Sequence, residues 1–167
     1  MSDAAWLDGY TGQTTDELLA LDGTYRTDSI ALAFEGAIEQ KAARVGVNAL
    51  TEPERTVLAV EALEREVNSD GFLGLFTTRA DIVPALVEAL RAIGRDDVAM
   101  LAQRAIDVLG IDDMTPETVE AAVAEDDEER DERLNAVDEA YYATAGDLAG
   151  RLLAYIRTHR EEIVIPG

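Results

Sequence analysis

The sequence predicts an all-α fold: a single globular helical domain over residues 1–167, with about eight or nine helices and no significant sheet. Three observations lead to this prediction. Apolar residues recur at intervals of three and four, the spacing that places them on one face of a helix. Residues that start and end helices bracket these segments. No segment alternates apolar and polar residues as a half-buried strand would.

The first fifty residues predict two helices joined to the rest of the chain by a connector. Residues 15–21 indicate a short helix, residues 28–43 indicate a longer one, and residues 45–50 form the connector. Residues 1–14 are interpreted as an N-terminal extension. We expect it to pack against the body of the domain through three large side chains, Trp6, Leu7 and Tyr10. The alternative is that these side chains form an interface with a partner.

The helix that follows has the clearest boundaries. Thr51 followed by Glu54 is the capping-box pattern, and Pro53 lies where its missing N–H costs nothing. Glycine tolerates the left-handed conformation that helix ends commonly need. We therefore expect this helix to end between Asn68 and Gly71.

A short apolar element, residues 71–78, comes next along the chain. Asp81 is predicted to cap a helix that has Pro84 in its first turn and ends at Gly94. The two phenylalanines of the apolar element are expected in the core: Phe72 and Phe76.

Four further helices are predicted in the C-terminal half. The first spans residues 96–110, and Thr115 followed by Pro116 is a cap with an early proline that opens the second. Apolar spacing over residues 134–141 indicates a third helix. The fourth covers residues 148–160.

The sequence offers few groups for catalysis. It has no cysteine, which excludes disulfides, thiolate metal sites and cysteine nucleophiles, and His159 is its one histidine. No serine lies in a nucleophile-elbow motif, and no phosphate-loop or calcium-loop motif occurs. We therefore expect no enzyme activity, no catalytic residues, no cofactor and no metal site. His159 is expected to pack at the edge of the last helix, and only a bound metal or a deep pocket around it would favour an enzyme.

The chain is strongly acidic. Its 35 acidic and 14 basic residues give a formal net charge of −21, and Lys41 is the only lysine. Binding to nucleic acid or to an anionic membrane surface requires clustered basic residues, so we expect neither. The sequence shows no leader pattern and no apolar run long enough to span a bilayer. We expect a cytoplasmic protein.

About half of the surplus charge lies in one region. Residues 112–139 hold thirteen acids and two bases, and residues 125–132 alone carry a net charge of −6. As a helix, this stretch would present about one charge per 2 Å, close to the roughly 1.7 Å of duplex DNA. Like charges four residues apart oppose helix formation, so the alternative prediction for part of this stretch is a loop. We name residues 112–132 the acidic segment and its carboxylates the acidic array: Asp112, Asp113, Glu117, Glu120, Glu125, Asp126, Asp127, Glu128, Glu129, Asp131 and Glu132.

Several motifs, in their order along the chain, resemble a known family. They are residues 50–54 with the helix that follows, residues 66–76, residues 89–94, the pattern Leu-x-x-Val-Asp-x-x-Tyr-Tyr at residues 134–142, and residues 152–157. Together they cover residues 50–160 and resemble the DMP-nineteen-like DNA mimic family. The resemblance implies an all-α fold, often dimeric, without known catalytic activity. In the best-understood type, carboxylates take the arrangement of duplex phosphates and occupy the DNA-binding surface of a transcription factor.

The leading hypothesis is therefore a DNA-mimic-like protein that binds a basic, DNA-binding protein through the acidic array. A homodimer is compatible with the resemblance. A second hypothesis is a protein-binding module of the immunity or antitoxin kind that uses apolar helix faces. A third is a salt-adapted helical protein whose charge is solvated and recognises nothing.

Overall fold

The computed structural model describes residues 3–167, and Met1 and Ser2 lie outside it. The described chain is 70% helical and contains no strand, which confirms the predicted all-α fold. It forms two compact units, one made of residues 3–61 and 149–167 and the other of residues 62–148. The prediction of one domain stays a prediction.

The eight α-helices in the described residues are α1 (Thr15–Leu19), α2 (Thr27–Val45), α3 (Glu52–Thr78), α4 (Val83–Ala92), α5 (Asp96–Val108), α6 (Pro116–Val123), α7 (Glu128–Thr144) and α8 (Leu148–Thr158).

The first unit contains α1, α2, the start of α3 and nearly all of α8. Thr14 and Glu17 form a capping box at the start of α1, where the Thr14 hydroxyl accepts the Glu17 N–H. The Thr51 hydroxyl likewise accepts the Glu54 N–H at 3.2 Å, and the Glu54 carboxylate accepts the Thr51 N–H at 2.9 Å. The capping box predicted for α3 is confirmed. Several apolar side chains of this unit are fully buried, among them Leu18, Ile30, Phe34, Ile38, Val57 and Val60.

The N-terminal segment is attached to the first unit through its backbone. The Arg26 N–H donates to the Ala5 carbonyl at 2.8 Å, and the Leu7 N–H donates to the Ser29 hydroxyl at 3.1 Å. Leu7 and Tyr10 are half-buried, as expected for a packed extension. Trp6 is instead 50% exposed, with the Arg26 guanidinium 5.5 Å from its ring centre. The expected packing of Trp6 is therefore wrong.

The only lysine is used inside the first unit. The Lys41 ammonium lies 2.7 Å from a carboxylate oxygen of Glu54, which is fully buried, and it also donates to the Val164 carbonyl at 3.0 Å. The flanking residues Ile163 and Ile165 are buried. Lys41 therefore anchors the C-terminal tail and satisfies a carboxylate that would otherwise be buried without a counter-charge.

The second unit contains a helix break where the sequence predicts a helix end. Asp70 and Gly71 have non-helical backbone angles, with a φ of +70° at Gly71, and the helix resumes at Phe72. The Phe72 N–H donates to the Asp138 carboxylate of α7 at 2.8 Å, so Asp138 caps the restarted helix from another element. Asn68 lies within the helix before the break. The expected end between Asn68 and Gly71 is therefore a break of one helix at Asp70 and Gly71.

The start of α4 differs from its prediction. Asp81 lies in a short 3₁₀ turn, Ala80–Ile82, and binds the Arg79 guanidinium at 3.0 Å. Ile82 precedes α4, and no side chain caps this helix. Pro84 is in the first turn as predicted, but the predicted cap by Asp81 is wrong.

Helix α7 packs against α5 and presents a single buried stripe to the interior of the second unit. Tyr141 in this stripe forms an edge-to-face contact with Phe72, at 5.9 Å between ring centres, and Phe72 contacts Phe76 at 6.1 Å. Both phenylalanines are fully buried, as expected from the sequence. The stripe consists of Arg130, Leu134, Val137 and Tyr141.

Candidate functional site

The acidic segment lies entirely in the second unit and comprises a loop, α6, a linker and the first turn of α7. Of the eleven carboxylates in the acidic array, ten are exposed and only Asp131 is half-buried. The predicted array is therefore available at the surface of this unit. Its function as a binding surface stays a prediction.

Helix α6 begins where the sequence predicts. The Thr115 hydroxyl accepts the Thr118 N–H at 3.2 Å, and Pro116 follows the cap. Val119 is the buried residue of this helix, so Glu117 and Glu120 remain at the surface. Because residues three apart are neighbours on a helix, these two glutamates lie side by side.

The densest acidic stretch, residues 125–132, is divided between three linker residues and five helical residues. Glu125, Asp126 and Asp127 precede α7, which begins at Glu128. The Asp127 carboxylate accepts the Arg130 N–H at 3.0 Å and so caps the helix. The continuous helix considered for this stretch does not form, and the linear charge density along it is lower than a helix would give.

The first turn of α7 places negative charge where a helix tolerates it best. Glu128, Glu129 and Asp131 lie at the N-terminus, and the helix dipole stabilises carboxylates there. Glu128 and Glu132 are four residues apart and repel each other by roughly 0.2–0.5 kcal/mol. The dipole offsets this repulsion, so the acidic turn remains helical.

The solvent-facing side of α7 carries a row of glutamates. At 3.6 residues per turn, Glu128, Glu132 and Glu139 fall on one side of the helix, opposite the buried stripe. Their Cα atoms are separated along the axis by about 6 Å and then about 10 Å. One row is therefore sparser than the phosphates of a DNA strand, so a duplex-like density requires the linker and α6 carboxylates as well.

The one basic residue in the acidic segment is buried. Arg130 donates from its guanidinium to the Ala122 and Glu125 carbonyls, both at 2.9 Å, and pairs with Asp131 at 2.8 Å. Its side chain is 8% exposed. The surface of the acidic segment consequently presents no guanidinium to solvent.

Carboxylates elsewhere in the second unit are compensated more often. Three exposed carboxylates in this unit each pair with an arginine at 2.9–3.0 Å, in the pairs Arg79–Asp81, Glu88–Arg91 and Arg95–Asp97. Within the acidic segment, the described residues show a single ion pair, Arg130–Asp131. The other ten carboxylates of the array have no basic partner in residues 3–167, so their charge is uncompensated locally.

The two units differ in charge. The second unit holds 22 acids and seven bases, and the first holds 13 acids and the same number of bases. The surplus is therefore −15 against −6, and the acidic segment accounts for most of the larger value. Uniform enrichment in acidic residues would not produce this asymmetry.

A family model described as DMP19-like protein matches residues 48–159, about two thirds of the chain. This chain belongs to the DMP19-like protein family. The match contains α3 to α8 and the complete acidic segment, and it confirms the resemblance found in the sequence. No curated protein and no solved structure is significantly similar to the chain.

Two family-like motifs of this DMP19-like protein come together at the helix break. Besides the hydrogen bond that the Phe72 N–H donates to Asp138, the Tyr142 hydroxyl donates to the Val67 carbonyl at 2.8 Å and the Tyr141 hydroxyl lies 3.0 Å from a Glu64 carboxylate oxygen. Partial burial raises the pKa of Asp138, while the Phe72 N–H opposes this rise. These residues hold α7 against α3, so they position the helix that carries part of the array.

The described part of this DMP19-like protein has few other groups of the kind that form catalytic or metal sites. The His159 ring packs on Tyr155, with 4.3 Å between ring centres, and its Nδ1 lies 2.9 Å from a Glu162 carboxylate oxygen. His159 follows the end of α8 and is half-buried, which is an edge position. Residues 3–167 contain no cluster of three or more potential metal ligands. Their helices include none with the length and apolar character needed to cross a membrane.

Sequence reasoning missed two residues that shape this region, Arg130 and Asp138. Arg130 was counted only as a charge and Asp138 was named only within a family-like motif, whereas each makes hydrogen bonds that determine local backbone geometry. A signal for Arg130 was present: it shares the apolar spacing of Leu134, Val137 and Tyr141, which predicts a buried position for an arginine. No such signal exists for Asp138, because its partner Phe72 is 66 residues away in sequence.

Proposed function

We propose that this protein binds the basic, DNA-binding surface of a partner protein, such as a transcriptional regulator, through the acidic array and thereby blocks the partner's access to DNA. The observation that carries the proposal is the set of ten exposed carboxylates, within residues 112–132, that have no basic partner in the described chain. The proposed activity is binding alone, without catalysis. Membership in the DMP19-like protein family is consistent with it.

Elementary electrostatics explains how such a surface would compete with DNA. A protein that binds duplex DNA presents clustered Lys and Arg side chains to phosphates. A folded surface with many uncompensated carboxylates attracts the same side chains and speeds the encounter. Salt screens the attraction between exposed charges, with a Debye length of about 10 Å at 0.1 M. Binding should therefore weaken steeply as salt is added.

The test compares wild-type protein with an array variant carrying Asp126→Asn, Glu128→Gln, Glu129→Gln and Glu132→Gln. These four side chains are exposed, and the substitutions spare the capping residue Asp127. Each protein is immobilised and exposed to lysate, and bound proteins are eluted with duplex DNA. We expect wild-type protein to retain DNA-binding proteins that the duplex releases. The array variant should retain at least tenfold less of these proteins. The released proteins are then purified and tested for displacement of labelled duplex.

The matched control removes the same charge from the first unit. It carries Asp3→Asn, Asp8→Asn, Asp16→Asn and Glu161→Gln, four exposed positions far from the acidic segment in sequence. We expect this control variant to capture the same proteins as wild-type protein. Equal capture by the array variant would refute the proposal, and an equal loss in both variants would support general charge effects and salt adaptation instead.

A second candidate function uses apolar contacts. Several large apolar side chains of the first unit are exposed, and a module of the immunity or antitoxin kind would use such residues. Binding of this kind should persist when NaCl rises from about 0.05 M to about 0.5 M, whereas binding by the array should not. These side chains are Trp6, Leu32, Val45, Val47 and Val164.

A further inference from the structure

Arg130 joins three parts of the acidic segment. Its guanidinium donates to the Ala122 carbonyl in the last turn of α6 and to the Glu125 carbonyl in the linker. It also binds the Asp131 carboxylate, and its backbone N–H is bound by Asp127. A cation near the C-terminus of α6 is also favoured by the dipole of that helix.

We infer that Arg130 is a positioning residue for the acidic array: it fixes the linker, residues 124–127, in the conformation that presents its carboxylates to a basic partner. The inference rests on the proposed function and goes beyond it, because it assigns a role to a positively charged residue inside an anionic surface. Arginine suits this role because its planar fork donates several hydrogen bonds in fixed directions.

Without the contacts of Arg130, the linker would lack a fixed shape. Glu125, Asp126 and Asp127 are adjacent, exposed and mutually repulsive. Their repulsion favours an extended, mobile segment, and a mobile segment loses conformational entropy when it binds. The two carbonyl contacts of Arg130 hold this segment before a partner arrives, which removes part of that cost.

For a substitution at Arg130, an effect of net charge alone and an effect of linker geometry predict opposite changes in binding. Arg130→Gln removes one positive charge and makes the protein more anionic, so attraction by charge alone would strengthen binding to a cationic probe. If Arg130 positions the array, binding should weaken instead. Arg133→Gln is the matched control, because Arg133 is on the same helix, is exposed and has the same charge.

The probe is a synthetic basic-region peptide of about 20 residues that becomes helical on duplex DNA. Binding is measured by fluorescence anisotropy at low and moderate salt. We expect Arg130→Gln to weaken peptide binding by threefold or more, on the order of 0.7 kcal/mol, and Arg133→Gln to leave it equal or tighter. Amide hydrogen exchange at residues 125–130 should accelerate in Arg130→Gln but not in Arg133→Gln.

Arg130→Lys keeps the net charge and provides a second variant should Arg130→Gln not fold. An ammonium cannot reproduce the planar fork, so we expect Arg130→Lys to bind the peptide more weakly than wild-type protein. Equal or tighter binding by both Arg130 variants, or unchanged exchange in the linker, would overturn the inference. If wild-type protein and the array variant bind the peptide equally, the proposed function fails, whatever Arg130 does.

Discussion

Gly71 and Asp138 show how a single pair of residues determines local geometry. Gly71 adopts a φ of +70°, which residues other than glycine rarely adopt, and a Cβ at this position would overlap the Asp138 carboxylate. That carboxylate is also the acceptor for the Phe72 N–H. Both the conformation and the close approach therefore require glycine at position 71.

Gly71→Ala is expected to destabilise the protein more than Gly110→Ala does. Gly110 has a similar φ of +64°, but no atom beyond its two chain neighbours lies within 4 Å of the position its Cβ would occupy. Gly110→Ala should cost about 1 kcal/mol for the left-handed conformation, and Gly71→Ala should cost about 1–3 kcal/mol more for the overlap. Urea unfolding of both variants measures the difference, and equal losses would show that the overlap is relieved without cost.

Asp138→Asn is expected to stabilise the protein at neutral pH. The asparagine amide oxygen can still accept the Phe72 N–H, while the cost of partly burying a charge disappears. Because folding raises the pKa of Asp138, the folded state binds more protons between the unfolded and folded pKa values, so stability falls as pH rises through that window. The advantage of Asp138→Asn should therefore shrink as pH is lowered toward and below 3.8, the ordinary pKa. Urea unfolding between about pH 3 and pH 7 tests this, and a constant difference would contradict it.

At the scale of the element, helix α7 combines two roles on opposite sides. Its buried stripe packs in the second unit and its other side carries the glutamate row. Its start is defined by Asp127, whose carboxylate accepts the Arg130 N–H. The helix therefore has an acidic first turn because both its cap and its dipole favour negative charge.

Asp127→Ala is expected to lower the free energy of unfolding by about 1 kcal/mol, because it removes this cap. Asp126→Ala is the matched control: it removes the same charge from the neighbouring exposed position. It should change stability by less than about 0.5 kcal/mol. Chemical denaturation measures the free energy of unfolding of both variants. Similar losses in the two would mean that the Asp127 contact contributes nothing beyond its charge.

At the scale of the whole molecule, the surplus negative charge is concentrated in the second unit. Repulsion among the uncompensated carboxylates of the array opposes folding, and added salt screens it. The carboxylates that we propose to attract a basic partner therefore lower the stability of the fold, which is a trade-off expected of a binding surface.

Raising NaCl from about 0.05 M to about 0.5 M should therefore increase the melting temperature of the wild-type protein. The array variant should show a smaller increase, because part of the repulsion has been removed. The control variant with four neutralised acids in the first unit should respond like wild-type protein. Calorimetry of the three proteins measures these shifts, and equal responses from the two variants would indicate evenly distributed charge.

Much of the fold follows from short-range signals in the sequence. Thr51 and Thr115 cap their helices as predicted, because a capping bond joins residues only three apart. Asp81 failed as a predicted cap because its carboxylate pairs with Arg79 instead. Several helix ends were predicted to within a few residues, but α7 begins at Glu128, six residues before the predicted segment 134–141, and α3 continues to Thr78 beyond its predicted end.

The sequence by itself determined the all-α class, the absence of thiol chemistry and the concentration of carboxylates in residues 112–132, because each depends only on composition or on neighbours within one or two turns. Tertiary structure alone decided which charges remain uncompensated. Arg130 became a buried link between α6, the linker and α7, and Asp138 became the cap of a helix 66 residues away. Burial and long-range hydrogen bonds arise only when distant segments pack together, and they change what a charge does without changing its identity.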